Sequence, residues 1–210
     1  MACPPEARRA VLARLLAAGV DPARHTIVVL HVSAGNPFRR WPPEAFAALV
    51  ASLARADSRR RLLLLSGPSE AMAAREIGDR ARAELGPLAL SVVNGLELDL
   101  GQLRAALEYA ALFVGGDSGP LHIAGSTGVP VVALYGPTLP ARSAPWRPAR
   151  FVTKSVEVEG LPCRPCDQRR CEPGDFRCLG WIRPEVVAAA AEEAIAASGR
   201  GRQAAPLVRP

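Results

Sequence analysis

Lysine is nearly absent from this chain of 210 residues: Lys154 stands alone, so arginine carries almost all of the 26 basic charges set against 20 acidic ones. The formal charge of +6 would suit nucleic acid, an anionic lipid surface or a phosphorylated substrate. Arginines such as Arg75, Arg80 and Arg82, however, fall on helix faces, where they read as solvated surface. Aromatic residues make up only 5% and do not interleave with the basic ones, which speaks against a stacking platform for single-stranded nucleic acid. No apolar run, Leu62 to Leu65 and Val129 to Tyr135 included, approaches the roughly 20 residues needed to span a bilayer. Arg14 interrupts Val11 to Leu16, so the N-terminus lacks a secretory h-region. These absences predict a cytoplasmic protein, and 49% hydrophobic content supplies core enough for one domain or two small ones.

What the chain does contain is alternation. Periodicity predicts helices over Ala7 to Ala18, Pro43 to Arg55, Ser69 to Leu85, Leu100 to Ala110 (capped by Asp99), Pro120 to Thr127 and Pro184 to Ser198. Between them lie apolar strands at Thr26 to Val32, Leu62 to Ser66, Leu88 to Val93, Leu112 to Gly115 and Val129 to Tyr135, with a further one at Phe151 to Val158. Continuous apolar strands between amphipathic helices indicate an α/β fold, a doubly wound parallel sheet covered on both faces. Gly199 to Pro210 has the composition of a disordered tail.

The strand exits carry the functional signal. They read His31-Val32-Ser33-Ala34-Gly35, Ser66-Gly67-Pro68-Ser69, Asn94-Gly95, Gly115-Gly116-Asp117 and Gly136-Pro137-Thr138, and in a parallel sheet they share the carboxyl edge, where ligands bind. The segment Gly115 to His122 is the most telling of them. Two glycines let backbone approach a ligand, Asp117 or Ser118 can cap the following helix, and Pro120 suits its first turn. Unpaired N–H groups there would face a phosphate.

Cys163, Cys166, Cys171 and Cys178 form a C-x2-C-x4-C-x6-C pattern, with Cys3 left over. Four thiolates at short spacing can surround a zinc ion, while reduced thiols packing a loop are the preferred reading, since a reducing cytoplasm disfavours disulfides.

In order and spacing, His31-x-Ser33-x-Gly35, Arg39-Arg40-Trp41-Pro42, Gly67-x-x-Glu70, Asp117-Ser118-Gly119-Pro120-x-His122 and Tyr135-Gly136-Pro137-Thr138 resemble glycosyltransferase family 9, the heptosyltransferases of lipopolysaccharide core assembly. The resemblance covers about Thr26 to Ala196. It implies a Rossmann-like sheet that is one half of a GT-B type enzyme: residues 26–198 as the nucleotide-sugar domain with a cysteine-rich loop at 161–180, residues 1–25 as interdomain helix and linker, and residues 199–210 as the tail. It further implies a metal-independent, inverting transfer of heptose from an ADP-sugar to the lipopolysaccharide inner core, with no cofactor, no nucleic acid and at most peripheral membrane association. The general base would belong to a separate N-terminal acceptor domain, so no catalytic residue is expected in this chain; a catalytically inactive nucleotide-sugar-binding domain is the alternative.

By the same resemblance, the Ser118 and Gly119 region with the helix start would hold the diphosphate, Asp117 would lie against the sugar, and Ser33, Pro120 and His122 would belong to the same substrate site; a capped helix with a buried histidine is the plainer alternative. Arg39 or Arg40 would clamp the phosphates, Arg39 being favoured because the family commonly has lysine there. Glu70 would accept from ribose hydroxyls, although an acid in a helix's first turn needs no ligand to explain it. Thr138 would touch phosphate or sugar, or else simply close a Gly-Pro turn.

Overall fold

In the computed structural model, which describes residues 3–199, the strands are β1 (Thr26–His31), β2 (Arg60–Leu65), β3 (Val92–Val93), β4 (Ala110–Gly116), β5 (Val131–Tyr135) and β6 (Thr153–Glu157). All pairings are parallel and the order is β3-β2-β1-β4-β5-β6. The helices are α1 (Pro5–Ala17), α2 (Pro43–Ala56), α3 (Ala71–Leu85), α4 (Leu100–Tyr109), α5 (Gly119–Gly125), α6 (Pro140–Ser143), α7 (Arg177–Gly180) and α8 (Pro184–Ser198).

The pleat sorts the apolar strands into two cores. Val28, Leu30, Leu62, Leu64, Leu112 and Val114 point to the face packed by α2, α3 and α8, through Phe46, Leu49, Leu53, Ile77 and Val187. Ile27, Val29, Leu63, Leu65 and Phe113 point the other way, onto Val11 and Leu15 of α1, Leu103 and Leu107 of α4, and Leu121 of α5. Burial on both faces explains why these strands carry no alternation of polar and apolar residues. The fold is therefore the doubly wound, Rossmann-like α/β sheet that the sequence implies. Among the described residues no helix is long and apolar enough to cross a membrane.

Several local expectations are corrected. Leu88 to Val93 is mostly a 3₁₀ turn (Gly86–Ser91), leaving two residues of strand. Pro87 lacks an N–H for a ladder, and Leu90 is 85% exposed, so this edge segment pairs with β2 only at its end. Ser118 occupies the N-cap of α5 with extended backbone but makes no side-chain cap; its hydroxyl donates back to the Gly116 carbonyl at 3.3 Å. Asp117 does not cap either, because Arg39 draws it away. Asp99 does cap α4, in a reciprocal box with Gln102. The expected tail, apart from Gly199, lies outside the described residues.

Phe113 is fully buried at the centre of β4. Replacing it with alanine is expected to cost about 3–5 kcal/mol in urea unfolding at unchanged m-value; a loss under 1 kcal/mol would contradict this packing.

Candidate functional site

Strand order reverses between β1 and β4, which opens a crevice beyond their carboxyl ends. A cavity of about 360 Å³ occupies it. Ser33 and Gly35 from the β1 exit, Gly67 and Glu70 from the β2 exit, and Ser118, Gly119 and Pro120 after β4 line its polar side. Leu96, Leu98, Leu100 and Leu103 add an apolar part to its lining. The Ser33 hydroxyl accepts from the Gly67 N–H at 3.1 Å, which ties the first two exits together.

The arginine pair divides its labour. Asn36 caps a 3₁₀ turn (Pro37–Arg39) by accepting from the Phe38 N–H at 3.0 Å. That turn lies against β4, where a Cβ added to Gly116 would stand 3.1 Å from the Arg39 carbonyl oxygen, so glycine is what permits the approach. Arg39 Nη1 donates to the Asp117 carbonyl at 3.2 Å and stands 3.3 Å from Asp117 Oδ2. That second contact is attraction between charges rather than a hydrogen bond, since Oδ2 is buried with no bonded partner. Arg39 Nε donates to Gln168 Oε1 at 2.6 Å. Arg40 turns the other way, donating from Nε to the Ala34 carbonyl at 2.8 Å and from Nη2 to Glu70 Oε1 at 2.7 Å. Glu70 is buried, and Arg40 supplies its balancing charge.

The structure thus gathers Ser33, Glu70, Ser118, Gly119 and Pro120 around one cavity. Arg39, Asp117 and His122 stand beside it as a cluster, His122 Nε2 lying 3.9 Å from Asp117 Oδ1. Thr138 sits apart, at the β5 exit. Its carbonyl accepts from Arg164 Nη2 at 2.7 Å, while its buried hydroxyl has no partner among the described residues.

Three participants escape sequence reasoning. Gln168 and Arg164 lie in the cysteine loop, 129 and 26 residues from the groups they bind, and no motif marks them. Asn36 was discoverable as a cap before Pro37. Burial first, then neighbouring thiols, pushes the Cys178 thiol up. The four loop cysteines are free and line a separate cavity of about 280 Å³ with Phe38 and Phe176. Among the described residues no group of three His, Cys, Asp or Glu side chains is spaced to hold a metal ion.

Comparison with known proteins gives the family and the fold. A sequence model of glycosyltransferase family 9 (heptosyltransferase) matches residues 6–174. The chain is similar to lipooligosaccharide heptosyltransferase 2 of Campylobacter jejuni, at 33% identity over 81 residues, 39% of this chain and 24% of that protein. It is similar to lipopolysaccharide heptosyltransferase 3 of Escherichia coli, at 29% identity over 170 residues, 80% of this chain and 47% of that one. In fold it resembles the ADP-heptose lipopolysaccharide heptosyltransferase II structure from E. coli, with a TM-score of 0.73 at 19% identity over 93% of this chain and 53% of that one. The chain therefore spans about half, or less, of the length of these relatives.

His31 anchors the floor of the crevice, its Nδ1 3.0 Å from the Ser33 carbonyl. Burial holds its pKa below the ordinary 6.5. The unfolded chain therefore takes up this proton first, and His31's contribution to stability, complete above about pH 6.5, is lost as pH falls towards the depressed folded value. Melting temperature is expected to drop on acidification below that point, with a shallower slope in His31→Gln. His25, also lowered by burial, contributes in the same sense. Equal slopes in the two proteins would contradict the assignment.

Proposed function

This chain belongs to glycosyltransferase family 9, and on that premise we propose that residues 26–198 form the donor-binding half of a GT-B type heptosyltransferase, taking an ADP-sugar at the β1/β4 crevice. The observation that carries this reading is a cavity lined by the start of α5 and by leucines, with the Arg39 guanidinium held beside it at Asp117. The diphosphate would accept from Arg39 and from backbone N–H groups at Ser118 and Gly119. Each charge-assisted bond is worth about 1.5–3 kcal/mol. α5 has only 7 residues, so attraction comes from its unpaired first-turn N–H groups and from Arg39 rather than from a long helix dipole. Ribose hydroxyls would donate to Glu70, and the base would lie against Leu96 and Leu98. Asp117 and His122 would face the sugar.

The transfer would proceed with inversion. The acceptor hydroxyl oxygen, losing its proton to a carboxylate of the acceptor domain, bonds to the anomeric carbon as the bond from that carbon to the β-phosphate oxygen breaks, and ADP leaves with the electron pair. Negative charge grows on the departing diphosphate, where Arg39 meets it, so the same contact stabilises the transition state. A guanidinium supplies the counter-charge that a divalent cation would otherwise give. In this reading residues 1–25 lead towards the acceptor domain, and the acceptor is lipopolysaccharide inner core, approached at the cytoplasmic face of the inner membrane. Because the chain spans about half the length of its relatives, a second reading stands beside the first: a catalytically inactive domain that still binds a nucleotide sugar or a partner domain but turns nothing over.

Calorimetry is expected to show ADP bound more tightly than UDP or GDP, with Arg39→Ala weakening ADP at least about tenfold through loss of a charged contact. Equal affinity for the three nucleotides, or an unchanged ADP affinity in Arg39→Ala, would overturn the donor site. Heptosyl transfer measured with and without an added family 9 acceptor domain, in the presence of EDTA, separates the two readings.

A further inference from the structure

Resting on that donor-site reading, we propose that Gln168 is a positioning residue that orients Arg39 towards the diphosphate, and that setting it there is the function of the cysteine loop. Gln168 adopts φ 61°, a left-handed conformation that residues bearing a side chain rarely hold unless their surroundings fix it. Here the surroundings do. Its Oε1 accepts from Arg39 Nε at 2.6 Å and from Asn36 Nδ2 at 2.9 Å. Arg39 Nε can only donate, so the atom facing it is the amide carbonyl.

With Nε held by Gln168 and Nη1 by the Asp117 carbonyl, the guanidinium plane is fixed at two points. Nη2 has no hydrogen-bond partner among the described residues, and the side chain remains 31% exposed, leaving one edge for a ligand. A free arginine loses several rotamers on binding phosphate; one already immobilised does not. The choice of an amide also matters. A carboxylate at position 168 would make the same bond but offset the positive charge that Arg39 presents, whereas glutamine orients the cation and leaves its charge intact.

The loop is anchored so that it can do this. The Cys166 N–H donates to the Pro137 carbonyl at 3.1 Å, Arg164 Nη2 to the Thr138 carbonyl at 2.7 Å, and Phe176 packs on Phe38 at 5.4 Å between ring centroids. The Asp167 carboxylate accepts from the Arg169 N–H at 3.1 Å and shapes the turn around Gln168. Chain that is remote in sequence is thereby fastened to the β1 and β5 exits together.

The test is a double-mutant cycle on the full chain, with ADP and adenosine as probes. Gln168→Met, of similar length but without the carbonyl, is expected to weaken ADP about five- to tenfold, less than the full worth of a bond to a charged group because Arg39 keeps its contact with the ligand and loses only its orientation. Adenosine affinity should stay unchanged, and the loss should vanish in an Arg39→Ala background. Gln168→Asn, which tolerates a left-handed backbone but falls short of Arg39, should reproduce that coupled loss and serves if the Met variant does not fold. An ADP affinity within twofold of wild type, an equal loss of adenosine, or an undiminished loss in the Arg39→Ala background would each overturn the positioning role. A silent Arg39→Ala sinks the donor-site reading itself, whereas a damaging Arg39→Ala with a silent Gln168 variant sinks only this inference.

Discussion

The site depends on one close approach, that of the Arg39 turn to the bare backbone of Gly116. A methyl group on Gly116 would press on the Arg39 carbonyl at 3.1 Å, so the turn that carries Arg39 would have to give by a few tenths of an ångström. That contact sets a cation beside the β4 exit, next to a cavity lined in part by Leu96 and Leu98. The sheet supplies the rigidity. β1 and β4 are central, paired on both sides and buried on both faces, so the loops leaving them are held to a frame that does not flex.

Charge is arranged in two separate pairs rather than one basic patch. Arg40 is committed to Glu70 and the Ala34 carbonyl. Arg39 keeps a neutral amide on one side and a carbonyl on the other, so its positive charge is offset only by Asp117. Asp117 in turn is buried with one carboxylate oxygen lacking a hydrogen bond. Buried polar atoms without partners are uncommon in folded proteins, and a bound ligand is one way to complete them. The Tyr135 phenol, pushed up by burial and by Asp117 and Glu157, stays neutral beneath this cluster and adds no charge to it.

Much of the architecture was legible in the sequence because a parallel sheet covered on both faces leaves an unambiguous trace: short apolar runs, helical periodicity between them, and small residues at every exit. Thr26–His31, Val131–Tyr135 and the Asp99 cap were readable for that reason. The edge segment was not, because Leu88 to Val93 has strand composition while Pro87 and the lack of a second neighbour let a 3₁₀ turn take most of it. At the site, Ser33, Asp117 and Gly119 could be named from strand exits and glycines, and Arg39 was preferred to Arg40 only through the family resemblance. The partition of Arg39 and Arg40 between two acids could not, nor could Gln168, whose meaning comes only from a contact made 129 residues away in the chain.

A crystal structure of the chain grown with ADP is expected to show β-phosphate oxygens about 3 Å from the Arg39 guanidinium and from the N–H groups at Ser118 and Gly119, with the base against Leu96 and Leu98. ADP lodged in the cysteine-lined cavity, or phosphates out of reach of Arg39 in the crevice, would contradict the donor site.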